Sequence, residues 1–128
     1  MLTPRHYTIE GARRTLPLVR RIVADIVRTA GEMSRLEAQG DEEALDHLQT
    51  RLRRHAAELD ELGVELKDPA IGLVDFYWKR GEETVYLCWK HGEGDIAHWH
   101  DLQSGYGGRQ EIGAVDLSLD LQARPARP

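Results

Sequence analysis

The chain has 128 residues, enough for one domain with one hydrophobic core. Its net charge is -5, from 17 Lys plus Arg against 22 Asp plus Glu, which argues against binding to the phosphate backbone of nucleic acids. The single cysteine excludes an intrachain disulfide. No apolar run has the length of a signal peptide or a bilayer span, so we expect a cytoplasmic protein that does not bind membranes.

The first predicted element is a helix between Thr8 and Leu36, where apolar residues recur at spacings of three and four. Its seam consists of Ile9, Ala12, Leu16, Val19, Val23, Ile26, Ala30 and Met33. Thr8 is the predicted N-cap, with Glu10 in the first turn. Pro17 lacks the amide that would bond to the Arg13 carbonyl, so it predicts a kink or a helix in two pieces.

A second helix is predicted between Asp41, its N-cap, and Gly63, which ends it. Its seam has the same spacing and consists of Leu45, Leu48, Leu52, His55, Leu59 and Leu62. The short break at 38–40 predicts that the two helices fold back as a long antiparallel helical hairpin with a coiled-coil seam. We interpret His55 as a hydrogen-bonded seam residue, with a ligand role as the alternative.

The first helix is more apolar than one partner helix can cover. Leu18, Ile22 and Val27 widen its stripe beyond the seam. We therefore expect both a covering sheet and a homodimer formed through helix faces, because a two-fold dimer is the commonest closed assembly.

From Gly72 onward the pattern becomes β-rich. Clusters at 73–78, 84–90 and 96–102 predict an antiparallel β-meander with turns at 80–81 and 93–94. Val115, Leu117, Leu119 and Leu121 alternate with polar residues, which predicts a fourth strand at the edge or one paired with another subunit. The predicted fold is thus a single α+β domain over 1–122, with a helical hairpin at 8–63, a three- to four-stranded antiparallel β-meander at 64–122 and a disordered tail at 123–128.

The predicted turns also fix which side chains share a face of the sheet. Phe76 is expected to face Val85, Val74 to face Leu87, and Leu87 to face His100. His98 and His100 then lie on the apolar face that packs on the helices. The reverse face carries Leu73, Asp75, Tyr77, Tyr86, Cys88, Ala97, Trp99 and Asp101, with Tyr86 between the two aspartates.

Histidines and carboxylates supply the candidate chemistry. His98 and His100 are the candidate ligands for zinc or another divalent metal, because side chains two apart on a strand point the same way. Two hydrogen-bonded histidines are the alternative. Asp75 and Asp101 are candidates for general acid and base, with a solvated face as the alternative. Cys88 is expected to be a packed thiol, since this register separates it from both histidines.

A glycine-rich loop follows the third predicted strand. Gly105, Gly107, Gly108 and Arg109 form a candidate binding site for a small anionic ligand, because free amides and a guanidinium bind carboxylate or phosphate. Turn formation is the alternative role of the glycines. Arg109 is otherwise expected to pair with Asp101 or Glu111 and so to hold the loop.

Several segments together resemble a known family. They are Tyr7-Thr8 opening a helix with LPL at 16–18, GVELKDPAIGLVDF at 63–76, VYLCWKHGEGDIAHWHDL at 85–102 and GYGGRQEI at 105–112. The chain is similar through Ile112 to the family called domain of unknown function 2203, and this resemblance implies no established activity. The positions that match the family pattern are Asp75, Trp89, Trp99, His100, Gly105, Gly108 and Arg109, whereas His98 departs from it. The resemblance therefore favours His100 with Asp75, Asp101 or Arg109 as the functional group.

The leading hypothesis is a non-catalytic, homo-oligomeric binding or scaffold protein without a cofactor. One alternative is an enzyme that binds a small molecule or anion, with His100 as acid or base and Arg109 holding an anionic group. A second alternative is a metal-binding protein that uses His98 and His100.

Overall fold

The computed structural model describes residues 5–122, which form three α-helices and a mixed six-stranded sheet. The helices are α1 (Ile9–Gln39), α2 (Glu42–Glu61) and α3 (Ala114–Gln122). The strands are β1 (His6–Tyr7), β2 (Val64–Asp68), β3 (Leu73–Arg80), β4 (Glu83–Lys90), β5 (His98–His100) and β6 (Gln110–Glu111), with a 3-10 turn at Tyr106–Gly108. The α+β class is confirmed. The predicted disordered tail at 123–128 lies outside the described residues.

The ends of the first two helices are set by the residues that the sequence indicates. The Thr8 side chain accepts a hydrogen bond from a first-turn amide of α1, and Asp41 does the same for α2. Gly40 ends α1 in the left-handed region at φ 74°, which favours glycine. α1 is a single helix through Pro17, so the two-piece alternative is wrong. α1 and α2 pack against each other, and none of the described helices has the length and apolarity needed to cross a membrane.

Strand β3 organises the sheet. On one side it pairs with β4, and the order continues through β5 to β6. On its other side, β2 runs antiparallel along 73–76, and β1 runs parallel along 77–78. The prediction of a purely antiparallel sheet is therefore wrong. It failed because the residues before Thr8 were not interpreted as a strand, although Tyr7 is buried and pairs with Trp78.

The core lies between α1 and one face of the sheet. It is built from Ile9, Ala12, Leu16, Val19, Val23 and Ile26 of α1 with Val74, Phe76, Trp78, Val85, Leu87, Trp89 and Trp99 of the sheet. At Gly72, φ is 68°, and a Cβ would lie 2.7 Å from Val23 Cγ1, so only glycine lets this loop approach α1.

Part of the apolar stripe that predicted the dimer is covered within the single chain. Ile22 is buried and Val27 packs against the core, whereas Leu18 is 41% exposed. The homodimer stays a prediction.

The β3–β4 ladder keeps the predicted faces but not the predicted partners. Phe76 pairs with Leu87 instead of Val85, and Val74 pairs with Trp89. The turn lies at 81–82, one position later than expected, so each partner moves by two residues. A shift of two leaves every side chain on its predicted side.

The β4–β5 ladder is different, because its register moves by one residue. Leu87 pairs with Trp99 instead of His100, and Tyr86 pairs with His100. The predicted placement of His98 and His100 on the helix-facing side is therefore wrong, and so is that of Trp99 on the reverse side. Trp99 belongs to the core.

Arginines of α1 contact the segment that precedes β5. Arg13 donates two hydrogen bonds to the Ile96 carbonyl, at 3.0 and 2.8 Å, and Arg20 donates to the Gly94 carbonyl at 3.0 Å. These contacts hold residues 91–97 as a loop on α1, in place of the tight turn expected at 93–94. Strand β5 consequently starts at His98.

The strand predicted from Val115, Leu117, Leu119 and Leu121 is wrong, because this segment is helix α3. Its two aspartates, Asp116 and Asp120, are four residues apart and lie on one helical face. Both are buried against the rest of the protein. Tertiary contacts of these carboxylates therefore outweigh the alternating apolar pattern.

Candidate functional site

The face of the sheet turned away from α1 and α2 is polar. The strand pairs Glu65–Asp75, Asp75–Cys88 and Tyr86–His100 place side chains of four strands on this face. Its members are Glu65, Lys67, Asp75, Tyr77, Tyr86, Cys88, His98 and His100. Asp101 is not among them: its carboxylate faces its own loop, so the predicted row of Asp75, Tyr86 and Asp101 does not form.

Three residues of this face form a buried cluster, which we call the Asp–Cys–His cluster: Asp75, Cys88 and His100. Their donor atoms, a carboxylate oxygen, Sγ and a ring nitrogen, all lie within 4.8 Å of one another. Asp75 is 1% exposed, Cys88 0% and His100 2%. The shift of one residue in the β4–β5 ladder brings His100 beside Asp75, where the sequence had placed them on opposite faces.

The hydrogen bonds of His100 determine where its protons lie. Nδ1 is 2.7 Å from the Asp101 carbonyl oxygen, and because a carbonyl only accepts, Nδ1 carries the hydrogen. Nε2 lies 3.0 and 3.1 Å from the two carboxylate oxygens of Asp75. A bare nitrogen lone pair and a carboxylate repel each other, so a proton or another cation must lie between Nε2 and Asp75.

Burial dominates the electrostatics of the cluster. It raises the pKa of Asp75, and the neighbouring His100 opposes this rise only in part. Burial, together with the nearby Asp75 charge, raises the pKa of Cys88 to about 12. At neutral pH Cys88 is therefore a thiol, as the sequence predicted, although it lies on the same face as the histidines. Both ring nitrogens of His100 are already engaged, so His100 is not placed to take the Cys88 proton.

A polar belt of Glu65, Lys67, Tyr77 and Tyr86 borders the cluster. The Tyr86 ring lies 5.3 Å from the His100 ring, and its hydroxyl donates to Glu65 at 3.2 Å. Lys67 pairs with Glu65 at 2.8 Å and lies over the Tyr86 ring. Burial works to raise the pKa of Glu65, but Lys67 and the tyrosine hydroxyls outweigh it, so the pKa is lowered. The belt thus holds an ionised carboxylate at the rim of the cluster.

The sequence interpretation missed this belt because it assigned no strand at 64–68. The signal was present: in VELKD, Glu65 and Lys67 alternate with Val64 and Leu66, which is the period of a strand with one buried face. Cys88 was also missed as a neighbour of His100, because the predicted register separated the two residues.

Arg109 lies outside the cluster and is already paired. Its guanidinium donates to both carboxylate oxygens of Glu93, at 2.7 and 2.9 Å, and to Nδ1 of His98 at 2.7 Å. Neither Asp101 nor Glu111, the expected partners, makes this contact. His98 is thus held by Arg109 and is not part of the Asp–Cys–His cluster, although it shares the face.

The glycine-rich loop is a compact turn next to this pair. Gly105 precedes the 3-10 turn at φ 64°, Gly107 lies within the turn, and Gly108 bonds back to the Gly105 carbonyl at 3.0 Å. The Asp101 carboxylate accepts from the amides of Gln103 and Ser104, which lowers the pKa of Asp101. The turn-forming role of these glycines is therefore present in the fold, and anion binding stays a prediction.

Fold and cluster together define an α+β domain whose sheet buries an aspartate, a cysteine and a histidine in contact. The family model described as "Uncharacterized conserved protein (DUF2203)" matches residues 5–112. The chain belongs to this family, as the resemblance of its motifs predicted. No curated protein and no solved structure gives a match to the chain.

Proposed function

We propose that the protein binds a divalent metal ion through Asp75, Cys88 and His100. One observation carries the proposal: three different donor atoms lie within 4.8 Å of one another in a buried site, and Nε2 of His100 faces the Asp75 carboxylate at 3.0 Å. The second nitrogen of His100 donates to a backbone carbonyl, the arrangement that orients metal-binding histidines in proteins.

The chemistry of the ligand set favours zinc. Zinc accepts sulfur, nitrogen and oxygen ligands at about 2.0–2.3 Å, and three protein ligands with a further position are a common set. On binding, the ion would replace the proton between His100 and Asp75 and would convert the Cys88 thiol to a thiolate. This set retains His100 from the pair predicted by the sequence and replaces His98 with Asp75 and Cys88.

A metal-free pair in which Asp75 and His100 share a proton is the competing explanation. The enzyme alternative has less support than either, because an acid or base must reach its substrate, whereas His100 is buried and engaged through both nitrogens.

Metal titration of protein purified without a His tag tests the proposal. We expect zinc to bind one to one, and cobalt to give the absorption of a thiolate–cobalt bond. Cys88→Ala and His100→Ala should each weaken zinc binding by about 100-fold or more, because each removes a ligand. Affinity should fall as the pH is lowered, since the ion must displace the proton of Cys88, whose pKa is raised to about 12.

His98→Ala is the matched control, because it removes a histidine of the same strand that is outside the cluster. It should bind zinc as the native protein does. Equal zinc affinity in the native protein and in Cys88→Ala, with no thiolate–cobalt absorption, would show that the cluster is a proton-sharing pair and would overturn the proposal.

A further inference from the structure

Helix α3 buries its charges and exposes its apolar side chains. Asp116 is 4% exposed and Asp120 is 5%, whereas Val115 is 68%, Leu117 40% and Leu119 36% exposed. A helix held by the hydrophobic effect shows the reverse pattern. Among the residues of α3 up to 120, the two buried side chains are therefore carboxylates.

Asp116 makes the first attachment. Its Oδ1 accepts from Nε of Arg80 at 2.7 Å, and its Oδ2 accepts from the Gly113 amide at 2.9 Å. The Arg80 guanidinium also lies 4.5 Å from the Trp99 ring centroid, a contact with the sheet that does not involve α3. The side chain of Arg80 is 37% exposed, so water can solvate it if Asp116 leaves.

Asp120 makes the second attachment, at the start of α1. Its two carboxylate oxygens accept from the amides of Ile9 and Glu10, at 2.7 and 3.3 Å. These amides have no partner within α1, and the helix dipole makes this end positive. Thr8 satisfies only the Gly11 amide. A carboxylate from a segment about 110 residues away thus completes the N-terminal cap of α1.

We propose that α3 is a releasable strap, held on the domain by charge and able to detach while the domain core stays folded. None of the residues that form the core lies in 114–120, and the family match also ends before α3, at residue 112. Salt stabilises the separated, solvent-exposed charges of a detached α3 more than the buried contacts of the attached helix, because buried charge pairs are screened much less. Release exposes Arg80 and the first amides of α1 to solvent. This inference is independent of the metal site.

Hydrogen exchange measured on the full chain at low and high sodium chloride tests the strap. High salt should speed exchange of the amides in 114–120, and of Ile9 and Glu10, by about tenfold, while amides of β3 and β4 stay protected. Exchange in α3 that is unaffected by salt, or that rises only together with β3 and β4, would overturn the proposal.

A charge-neutral variant provides a second arm. Asp116→Asn with Asp120→Asn should give fast exchange in α3 at low salt, with little further response to salt. Asp46→Asn is the control, because it removes an exposed carboxylate of α2 and should leave α3 protected. If α3 in the double variant remained as protected as in the native chain, charge would not hold it and the proposal would fail. The salt series on the native chain decides the question even if the double variant does not fold.

Discussion

The two faces of one sheet are buried in different ways. On the face toward α1, Phe76 and Trp78 are almost inaccessible because apolar side chains of the helix cover them. On the opposite face, Asp75, Cys88 and His100 are equally inaccessible, but their neighbours are polar. An apolar contact tolerates small rearrangements, whereas a buried polar group must have its partner at hydrogen-bond distance. The polar face therefore depends more on the exact positions of its side chains. The apolar face contributes more to the free energy of unfolding.

The largest expected effect lies on the apolar face. Phe76→Ala should lower the free energy of unfolding by about 3–5 kcal/mol, because it leaves a cavity in the core. Phe76 is fully buried, and the Tyr7 ring packs edge-on against it at 5.2 Å between centroids. Urea unfolding followed by circular dichroism measures the change. Lys79→Ala, at an exposed position of the same strand, is the control, and a loss at Phe76 no greater than at Lys79 would contradict this view of the core.

Substitutions on the polar face should lower the free energy of unfolding by less, and the loss should depend on whether the partner residue is still present. In metal-free protein, His100→Leu leaves the Asp75 carboxyl group buried without its partner and should cost about 2–3 kcal/mol. Asp75→Leu with His100→Leu removes both polar groups and should recover most of this loss. Both variants deprive the Asp101 carbonyl of its donor, so their difference in unfolding free energy reports on Asp75. A double variant less stable than His100→Leu would mean that the pair does not act as a unit.

The smallest effect should come from the ion pair at the edge of the polar face. Burial works to raise the pKa of Glu93, but Arg109 and the Lys90 amide outweigh it, so the pKa lies below its ordinary value of 4.5. The native state then binds fewer protons than the unfolded state, so this stabilisation is present above about pH 4.5 and is lost as the pH falls through the native pKa.

Glu93→Gln should accordingly cost on the order of 1 kcal/mol at neutral pH, and almost nothing in acid. Unfolding free energies between about pH 3 and pH 7 measure this convergence. Glu111→Gln, at an exposed site on β6, should run parallel to the native curve. If the curve of unfolding free energy against pH for Glu93→Gln were also parallel to the native curve, the pair with Arg109 would contribute nothing to stability.

Much of the fold follows from local sequence patterns. The candidate site depends on contacts between distant residues, which those patterns do not indicate. Thr8, Gly40 and Asp41 act at helix ends through their own side chains or backbone, so the sequence indicates them directly. The turn between β3 and β4 is misplaced by one position, but the two-residue shift of each partner leaves both faces correct. The segment between β4 and β5 is also held by distant Arg13 and Arg20, and a local pattern does not indicate these contacts.

That one connection decides the site. Asp75 and His100 were both predicted as functional residues, but a register error of one residue placed them on opposite faces. The error at α3 has a similar origin: Asp116 and Asp120 are held by Arg80 and by the start of α1, which lie far away in the sequence. The residue types therefore indicated which residues are candidates for function. Which of them lie together depends on tertiary contacts.

The edges of the sheet have a consequence for how the protein behaves at high concentration. Its outermost strands, β1, β2 and β6, have two, five and two residues, and β2 carries a register shift beside the exposed Lys67. These edges offer a strand from another molecule only short rows of unpaired amides and carbonyls. The longest of them, β2, also carries the charge of Lys67. Growth of fibres by strand addition is thereby disfavoured at the described edges, although the sheet itself is rich in β-branched and aromatic side chains.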